Sequence, residues 1–108
     1  MIHVTIFRNS NLDFVGFRSE GHAGYDIEGQ DIVCSAVSVL VINTINSIEL
    51  YSHDDYEKPR YSEHGLVEFW LADKPSHDAL LIMKVFANGI KDLSGTYSDY
   101  ICLTFKEV

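Results

Sequence analysis

A long apolar segment, running from Ile32 to about Leu50, constrains the fold of this chain more than any other feature. Its valines and isoleucines favour a β-strand by propensity, but about twenty residues greatly exceed the usual length of a strand, so we expect a helix. Asp31 directly precedes the segment and is a suitable N-cap. Because the polar residues of the segment are sparse and mostly small, we expect this helix to be covered by a sheet and by a second subunit.

Shorter patterns on either side of this helix predict a sheet and a second helix. Apolar residues at helical spacing after the candidate cap Ser76 predict a helix that ends at Gly95. Alternating apolar residues predict the strands Ile2–Phe7, Leu12–Ser19, Leu66–Leu71 and Tyr97–Phe105. The turn at residues 8–11 joins the first two strands in a hairpin, and residues 51–65 form a polar loop with a short strand near its end.

The order of these elements is strand-strand-helix-strand-helix-strand. It predicts an α+β fold in which two helices pack on a mainly antiparallel sheet. The chain is expected to form one domain, residues 1–108. A chain of this length buries roughly two-thirds of its unfolded surface, enough for a core without metal or disulfide cross-links. The apolar content of 46% suits such a core.

The charge of the chain restricts the partners that it can attract. The net charge is −8, and the sequence contains no cluster of Lys and Arg. Both features argue against direct binding of nucleic acid, which needs basic residues to neutralise phosphates. The same negative charge favours encounter with a basic partner.

Neither the cysteines nor the apolar segments indicate a secreted or membrane protein. Cys34 and Cys102 are too few for a disulfide framework, and the N-terminal residues MIHVTIFRNS lack the features of a secretory signal. The stretch at residues 36–42 is too short to span a bilayer. We therefore expect a cytoplasmic protein without a membrane partner, in which both thiols are reduced.

The glycine-bordered segment before the long helix contains residue types that suit nucleophilic catalysis. Cys34 lies three residues after Asp31 in the first helical turn. A helix N-terminus and an adjacent imidazolium both favour the thiolate form of a cysteine. His22 is the only nearby candidate base, and Gly24 and Gly29 allow the chain between His22 and Cys34 to fold back.

The sequence leaves two roles open for Asp31. Its carboxylate either caps the helix or orients the His22 ring as the third member of a triad. Backbone N–H groups at the helix start, including that of Cys34, are candidates for binding an oxyanion. Gly21 and Ser38, which lies one turn after Cys34, are the candidate substrate-binding residues.

Simpler structural roles account for several of these residues equally well. A cysteine in an apolar helix is often a small buried hydrophobe, and Cys102 has no nearby base in the sequence and is expected to be structural. The other histidines are scattered, and with Cys34 they show none of the usual zinc spacings. We therefore expect neither a metal nor another cofactor. These histidines are His3, His53, His64 and His77.

Residues 21–40, GHAGYDIEGQDIVCSAVSVL, resemble the signature of the ribosomal-processing cysteine proteases, the Prp (YsxB-like) family. The match consists of GHA, a glycine-containing loop, and the pattern G-x-DIVC-[SA]-A-V-S-x-L. The resemblance implies a homodimeric α+β protein of the bacterial cytoplasm, with His22 and Cys34 as the catalytic pair and Asp31 as a supporting residue. The implied activity removes the N-terminal extension of a large-subunit ribosomal protein during ribosome assembly.

The implied mechanism is acyl transfer to Cys34 and then to water, with His22 as the base and the loop from Ala23 to Gln30 covering the bound peptide. The expected substrate is the N-terminal extension of a basic ribosomal protein. Two alternatives remain open from the residues: a non-catalytic ribosome-assembly factor that binds such a protein through its acidic surface, and a thiol hydrolase of small acyl or amide substrates.

Overall fold

A computed structural model of the chain describes residues 1–27, 30–63, 65–72 and 74–108, so the predictions for Gly29 and His64 lie outside the described residues. The order of elements confirms the predicted fold class, including the short strand in the polar loop. The strands are β1 (Ile2–Arg8), β2 (Phe14–Glu20), β3 (Arg60–Tyr61), β4 (Val67–Trp70) and β5 (Ile101–Glu107). The helices are α1 (Ile32–Tyr51) and α2 (His77–Thr96).

The strands form one five-stranded sheet in the order β3-β4-β2-β1-β5. The pairs β1–β2, β2–β4 and β3–β4 are antiparallel, whereas β5 runs parallel to β1. The sheet is therefore mainly antiparallel, as predicted. A parallel pair needs a crossover connection, and α2 lies in the connection that leads from β4 to β5.

Both helices pack against the sheet and against each other, and their buried faces form the core. Phe17 of β2 is fully buried between Phe69 of β4 and Phe86 of α2, with ring centroids 5.6 and 4.4 Å apart. The buried residues of α1 recur every three or four positions and are Val33, Val37, Val41, Thr44, Ile45 and Ile48. This face fixes the position of α1, and with it the position of Cys34.

The outer face of α1 remains apolar and uncovered in the single chain. Val39, Ile42 and Leu50 are 65%, 53% and 73% exposed. An 18-residue window of α1 reaches a mean hydropathy of 1.6, so the helix has the length and composition of a membrane span. The expectation that the apolar stretch is too short to span a bilayer considered residues 36–42 alone, and it underestimates the apolar length of α1. The packing of α1 against the sheet and α2 nevertheless makes it the core helix of a folded domain.

The opposite face of the sheet carries a stacked aromatic pair. Alternation along β1 predicts that Phe7 lies on the face away from the core, yet only 7% of Phe7 is exposed, because its ring stacks on Trp70 at 4.2 Å. Gly16 lies between the two in the sheet, paired with Phe7 on one side and Trp70 on the other. A Cβ at Gly16 would lie 2.8 Å from the Trp70 ring.

The predicted ends of several elements differ from the structure, most clearly at β2, α2 and β5. Leu12 belongs to the turn before β2, with a φ of 64°, because the Asn9 side chain accepts hydrogen bonds from the amides of Asn11 and Asp13. Gly95 does not end α2, which continues to Thr96. Residues 97–100 form a turn rather than the start of β5.

The glycines at positions 16 and 95 make a matched test of this packing. Gly16→Ala is expected to lower the free energy of unfolding by about 1–3 kcal/mol, because the new methyl group must displace Trp70. A Cβ at Gly95 meets nothing within 4 Å. Gly95→Ala is therefore expected to raise the free energy of unfolding by about 0.5 kcal/mol. Urea denaturation checks both values, and a Gly16→Ala protein as stable as the parent would contradict the close packing.

Candidate active site

His22 and Ala23 lie in a sharp turn that follows β2. Gly21 has a φ of 94°, and a Cβ there would clash with the carbonyl oxygen of Met1, so only glycine fits. The Met1 nitrogen donates a hydrogen bond to the His22 carbonyl at 2.6 Å. The start of β1 therefore fixes the backbone that carries His22.

The carboxylate of Asp31 binds the start of α1 and the loop that precedes it. One oxygen accepts hydrogen bonds from the amides of Val33 at 3.0 Å and Cys34 at 2.9 Å, as an N-cap does. The other oxygen accepts from the amides of Tyr25 at 3.0 Å and Asp26 at 3.3 Å. A single side chain thus holds the loop against the helix.

These contacts lower the pKa of Asp31. Burial raises that pKa, but the hydrogen bonds from the amides of Cys34, Asp26 and Tyr25, with a further contribution from the Cys34 thiol, outweigh burial and bring it below the usual 3.8. Within the described residues, no hydrogen bond joins the carboxylate to the His22 ring. The geometry therefore favours the capping role of Asp31 over the orienting role.

The Cys34 sulfur is half-buried in the first turn of α1 and accepts a hydrogen bond from the amide of Ala23 at 3.2 Å. Ala23 itself is only 4% exposed. The amide of Cys34, a candidate for binding an oxyanion, is instead bound to the Asp31 carboxylate. Binding of an oxyanion by this donor stays a prediction, and it would require the N–H to leave the cap.

Two cavities open at Cys34, and His22, Cys34 and Ser38 line both of them. The apolar cavity has a volume of about 240 Å³. Its other lining residues are Ile2, Ser19, Gly21, Val37, Val41, Ile42, Tyr61, Gly65 and Val67. The polar cavity has a volume of about 420 Å³. Its other lining residues are Gly24, Asp26, Asp31 and Ser35.

All five residues predicted from the sequence therefore meet at one place. His22, with its exposed ring, and Cys34 share both cavities, Gly21 lines the apolar one, and Asp31 lines the polar one. Tyr61, Gly65 and Val67 also line the apolar cavity and carry no local sequence signal. Antiparallel pairing of Val67 with Ser19 of β2 and with Tyr61 of β3 places two of them there.

Cys102 has an imidazole near its backbone that sequence spacing alone does not reveal. Its Cα pairs with that of His3 on β1, and His3 pairs with Glu20 on β2. Among the described residues, no hydrogen bond joins these three side chains. Cys102 lines neither of the cavities at Cys34.

The chain is similar to known proteins in sequence and in fold. A family model described as Cysteine protease Prp matches residues 1–102. The chain belongs to this family. The Ribosomal processing cysteine protease Prp of Bacillus subtilis (strain 168) is 35% identical over 48 residues, which are 44% of this chain and 43% of that protein. The chain thus aligns with less than half the length of this curated relative.

Solved structures of similar proteins establish the same fold. A Prp protease from S. aureus with a covalently linked product peptide aligns over 98% of this chain and all of that chain, with a TM-score of 0.92 and 24% identity. The same protease with a substrate peptide gives a TM-score of 0.87 at 23% identity, over 98% of this chain and 100% of that chain. SMU.848 from Streptococcus mutans gives 0.84 at 24% identity, over 100% of this chain and 96% of that chain.

Because the Asp31 carboxylate binds both the start of α1 and the preceding loop, we expect the effect of Asp31→Asn on the free energy of unfolding to depend on pH. The lowered pKa means that the charged carboxylate stabilises the folded state above pH 3.8, and that this contribution is lost as the pH falls through the folded pKa. Asp31→Asn should therefore lower the free energy of unfolding at pH 7, because an amide has one acceptor oxygen where the carboxylate has two.

The difference in the free energy of unfolding between the parent and Asp31→Asn should shrink as the pH falls below 3.8 and through the folded pKa of Asp31. Urea denaturation across this range measures it. Asp99→Asn, at an exposed position, makes the same change of charge away from the loop. If the free energies of unfolding of the parent and Asp31→Asn differ by the same amount at every pH, the ionised carboxylate does not bind the amides of the helix start and the loop.

Proposed function

We propose that this protein is a cysteine endopeptidase of the bacterial cytoplasm that removes the N-terminal extension of a large-subunit ribosomal protein during ribosome assembly. The observation that carries the proposal is the meeting of Cys34 and His22 in the same two cavities, with the sulfur in the first turn of a capped helix. Membership of the Prp family supports the chemistry. The name of the Bacillus subtilis relative supports the ribosomal substrate.

In the proposed reaction, Cys34 is the nucleophile and His22 the general base. The sulfur electron pair forms a bond to the scissile carbonyl carbon while the thiol proton passes to His22, and the carbonyl π electrons move to oxygen. Collapse of this intermediate breaks the C–N bond, and the proton on His22 passes to the leaving amine. Water then attacks the thioester, with His22 taking its proton, and releases the acid and the Cys34 thiol.

The two cavities suit a peptide that crosses Cys34 and places different side chains on its two sides. The apolar cavity is walled by Val37, Val41 and Val67 and suits an apolar side chain next to the scissile bond. The polar cavity is bordered by the carboxyl groups of Asp26 and Asp31. The net charge of −8 suits a basic ribosomal precursor, because electrostatic attraction raises the rate of encounter.

Incubation with the extended ribosomal protein tests the proposed reaction. Cys34→Ala should abolish cleavage, and His22→Ala should lower the rate by about 10²–10⁴-fold, because the general base is lost. Cys102→Ala is the matched control, since it removes the other cysteine and should leave the rate unchanged. Raising the ionic strength should lower kcat/KM.

The same variants separate the alternative functions. A precursor that stays intact with the reduced protein would exclude the peptidase. Rapid iodoacetamide labelling of Cys34 that is lost in His22→Ala would then leave a thiol hydrolase of small substrates. Slow labelling that does not depend on His22 would leave the non-catalytic assembly factor.

We also propose that the protein is a homodimer, with a second copy on the outer face of α1 and α2. Val39 and Leu50 of α1 and Leu81 and Val85 of α2 are at least half exposed, and an apolar groove of about 640 Å³ runs between the two helices near Val39. Apolar surface of this extent is typical of interfaces. A second copy fits because it presents the same apolar residues in return.

Sedimentation equilibrium tests the dimer. The parent should sediment at about twice 12.2 kDa. Val39→Asp should weaken association at least about tenfold, because each interface would bury two added charges. Thr104→Asp, at an exposed position of β5, adds the same charge and should leave association unchanged. A parent protein that sediments as a monomer would exclude the dimer.

A further inference from the structure

We propose that the main-chain N–H of Ala23 binds the oxyanion that forms when Cys34 attacks a peptide bond. The inference rests on the proposed role of Cys34 as the nucleophile. It assigns a catalytic group to the loop that carries His22 and removes that role from the start of α1.

Three of the backbone donors at the start of α1 already have acceptors. The amides of Val33 and Cys34 donate to the Asp31 carboxylate, and the amide of Ser35 donates to the Asp31 carbonyl at 3.1 Å. An oxyanion that took one of these donors would break the cap. It would also approach the negative charge of Asp31, which opposes a second negative charge nearby.

The amide of Ala23, in contrast, already points at the reacting atom. Its nitrogen lies 3.2 Å from the Cys34 sulfur, and within the described residues it is the one backbone donor to that sulfur. Because Ala23 is 4% exposed, this N–H lies where little water competes for it. A buried donor of this kind stabilises a developing charge more strongly than an exposed one.

The Ala23 N–H lies close to the path that negative charge follows when the sulfur attacks the carbonyl carbon. When the sulfur electron pair forms the S–C bond, the carbonyl π electrons move to oxygen, so the negative charge leaves sulfur and appears on an atom bonded to the attacked carbon. The Ala23 N–H can follow this charge from sulfur to oxygen with a small change of direction. When the C–N bond breaks, the electron pair returns to the carbonyl and the N–H is released.

The loop holds this donor in place from both sides. Met1 binds the carbonyl of His22 immediately before it, and the Asp31 carboxylate binds the amides of Tyr25 and Asp26 immediately after it. Such support matters because an oxyanion donor is effective only when it is oriented before the reaction.

Replacement of the Ala23 amide by an ester tests the assignment. Cys34 is itself a ligation site, so residues 1–33 can be synthesised with L-lactic acid in place of Ala23 and joined to residues 34–108. This change removes the N–H and keeps the methyl group. L-glyceric acid in place of Ser10, an exposed turn residue outside both cavities whose amide donates to no described residue, is the matched control. The all-amide protein made in the same way is the reference.

The Ala23 ester should lower kcat for cleavage of the extended ribosomal protein by about 10²–10³-fold, with KM changed less than about threefold, because the donor acts in the transition state. Iodoacetamide labelling of Cys34 should fall less than about tenfold, since alkylation forms no oxyanion. The Ser10 ester should stay within about threefold of the reference in both assays.

Two results would overturn the assignment. A cleavage rate of the Ala23 ester within about threefold of the reference would show that the N–H is not used. Equal losses in cleavage and labelling would show that it serves the sulfur alone. The proposed function fails separately, if Cys34→Ala still cleaves the precursor.

A second measurement applies if the ester prevents folding. The all-amide protein carrying ¹⁵N at Ala23 is treated with a peptide aldehyde, which forms a tetrahedral adduct at Cys34. A downfield shift of the Ala23 amide proton supports transfer of the hydrogen bond to oxygen, and an unchanged shift overturns it.

Discussion

The arrangement of the site depends on the carboxylate of Asp31 and its four backbone hydrogen bonds. Two of them begin α1 and place Cys34 in its first turn, and the other two bind the loop that follows His22. The imidazole comes from the turn after β2, and the sulfur comes from the first turn of α1. One small side chain sets their relative position, so a change at Asp31 alters the helix start and the loop together.

Much of this arrangement could be predicted because its signals are local. The length of the apolar segment predicts α1, and Asp31 before it predicts the cap that the structure contains. The glycines around His22 predict a turn, and Gly21 takes the positive φ that such a turn needs. The family signature covers the same residues, so resemblance and local chemistry lead to the same site.

The remaining features depend on contacts between distant segments. Phe7 is buried because β4 places Trp70 beside it in the sheet, and alternation within β1 carries no information about that partner. Tyr61 and Val67 line the apolar cavity because of the strand order, which the sequence of each strand does not show. Sequence patterns also identify the backbone donors at a helix start without showing which of them already have an acceptor, as the amide of Cys34 does.

The peptide group that links His22 to Ala23 is held at both ends, by the Met1 nitrogen at its oxygen and by the Cys34 sulfur at its hydrogen. Rotation of this one plane would break both contacts at once. It would also turn a carbonyl dipole toward the sulfur, where a negative charge would be repelled. Competence of the site thus depends on the orientation of a single amide plane, which contacts with Met1 and Cys34 hold.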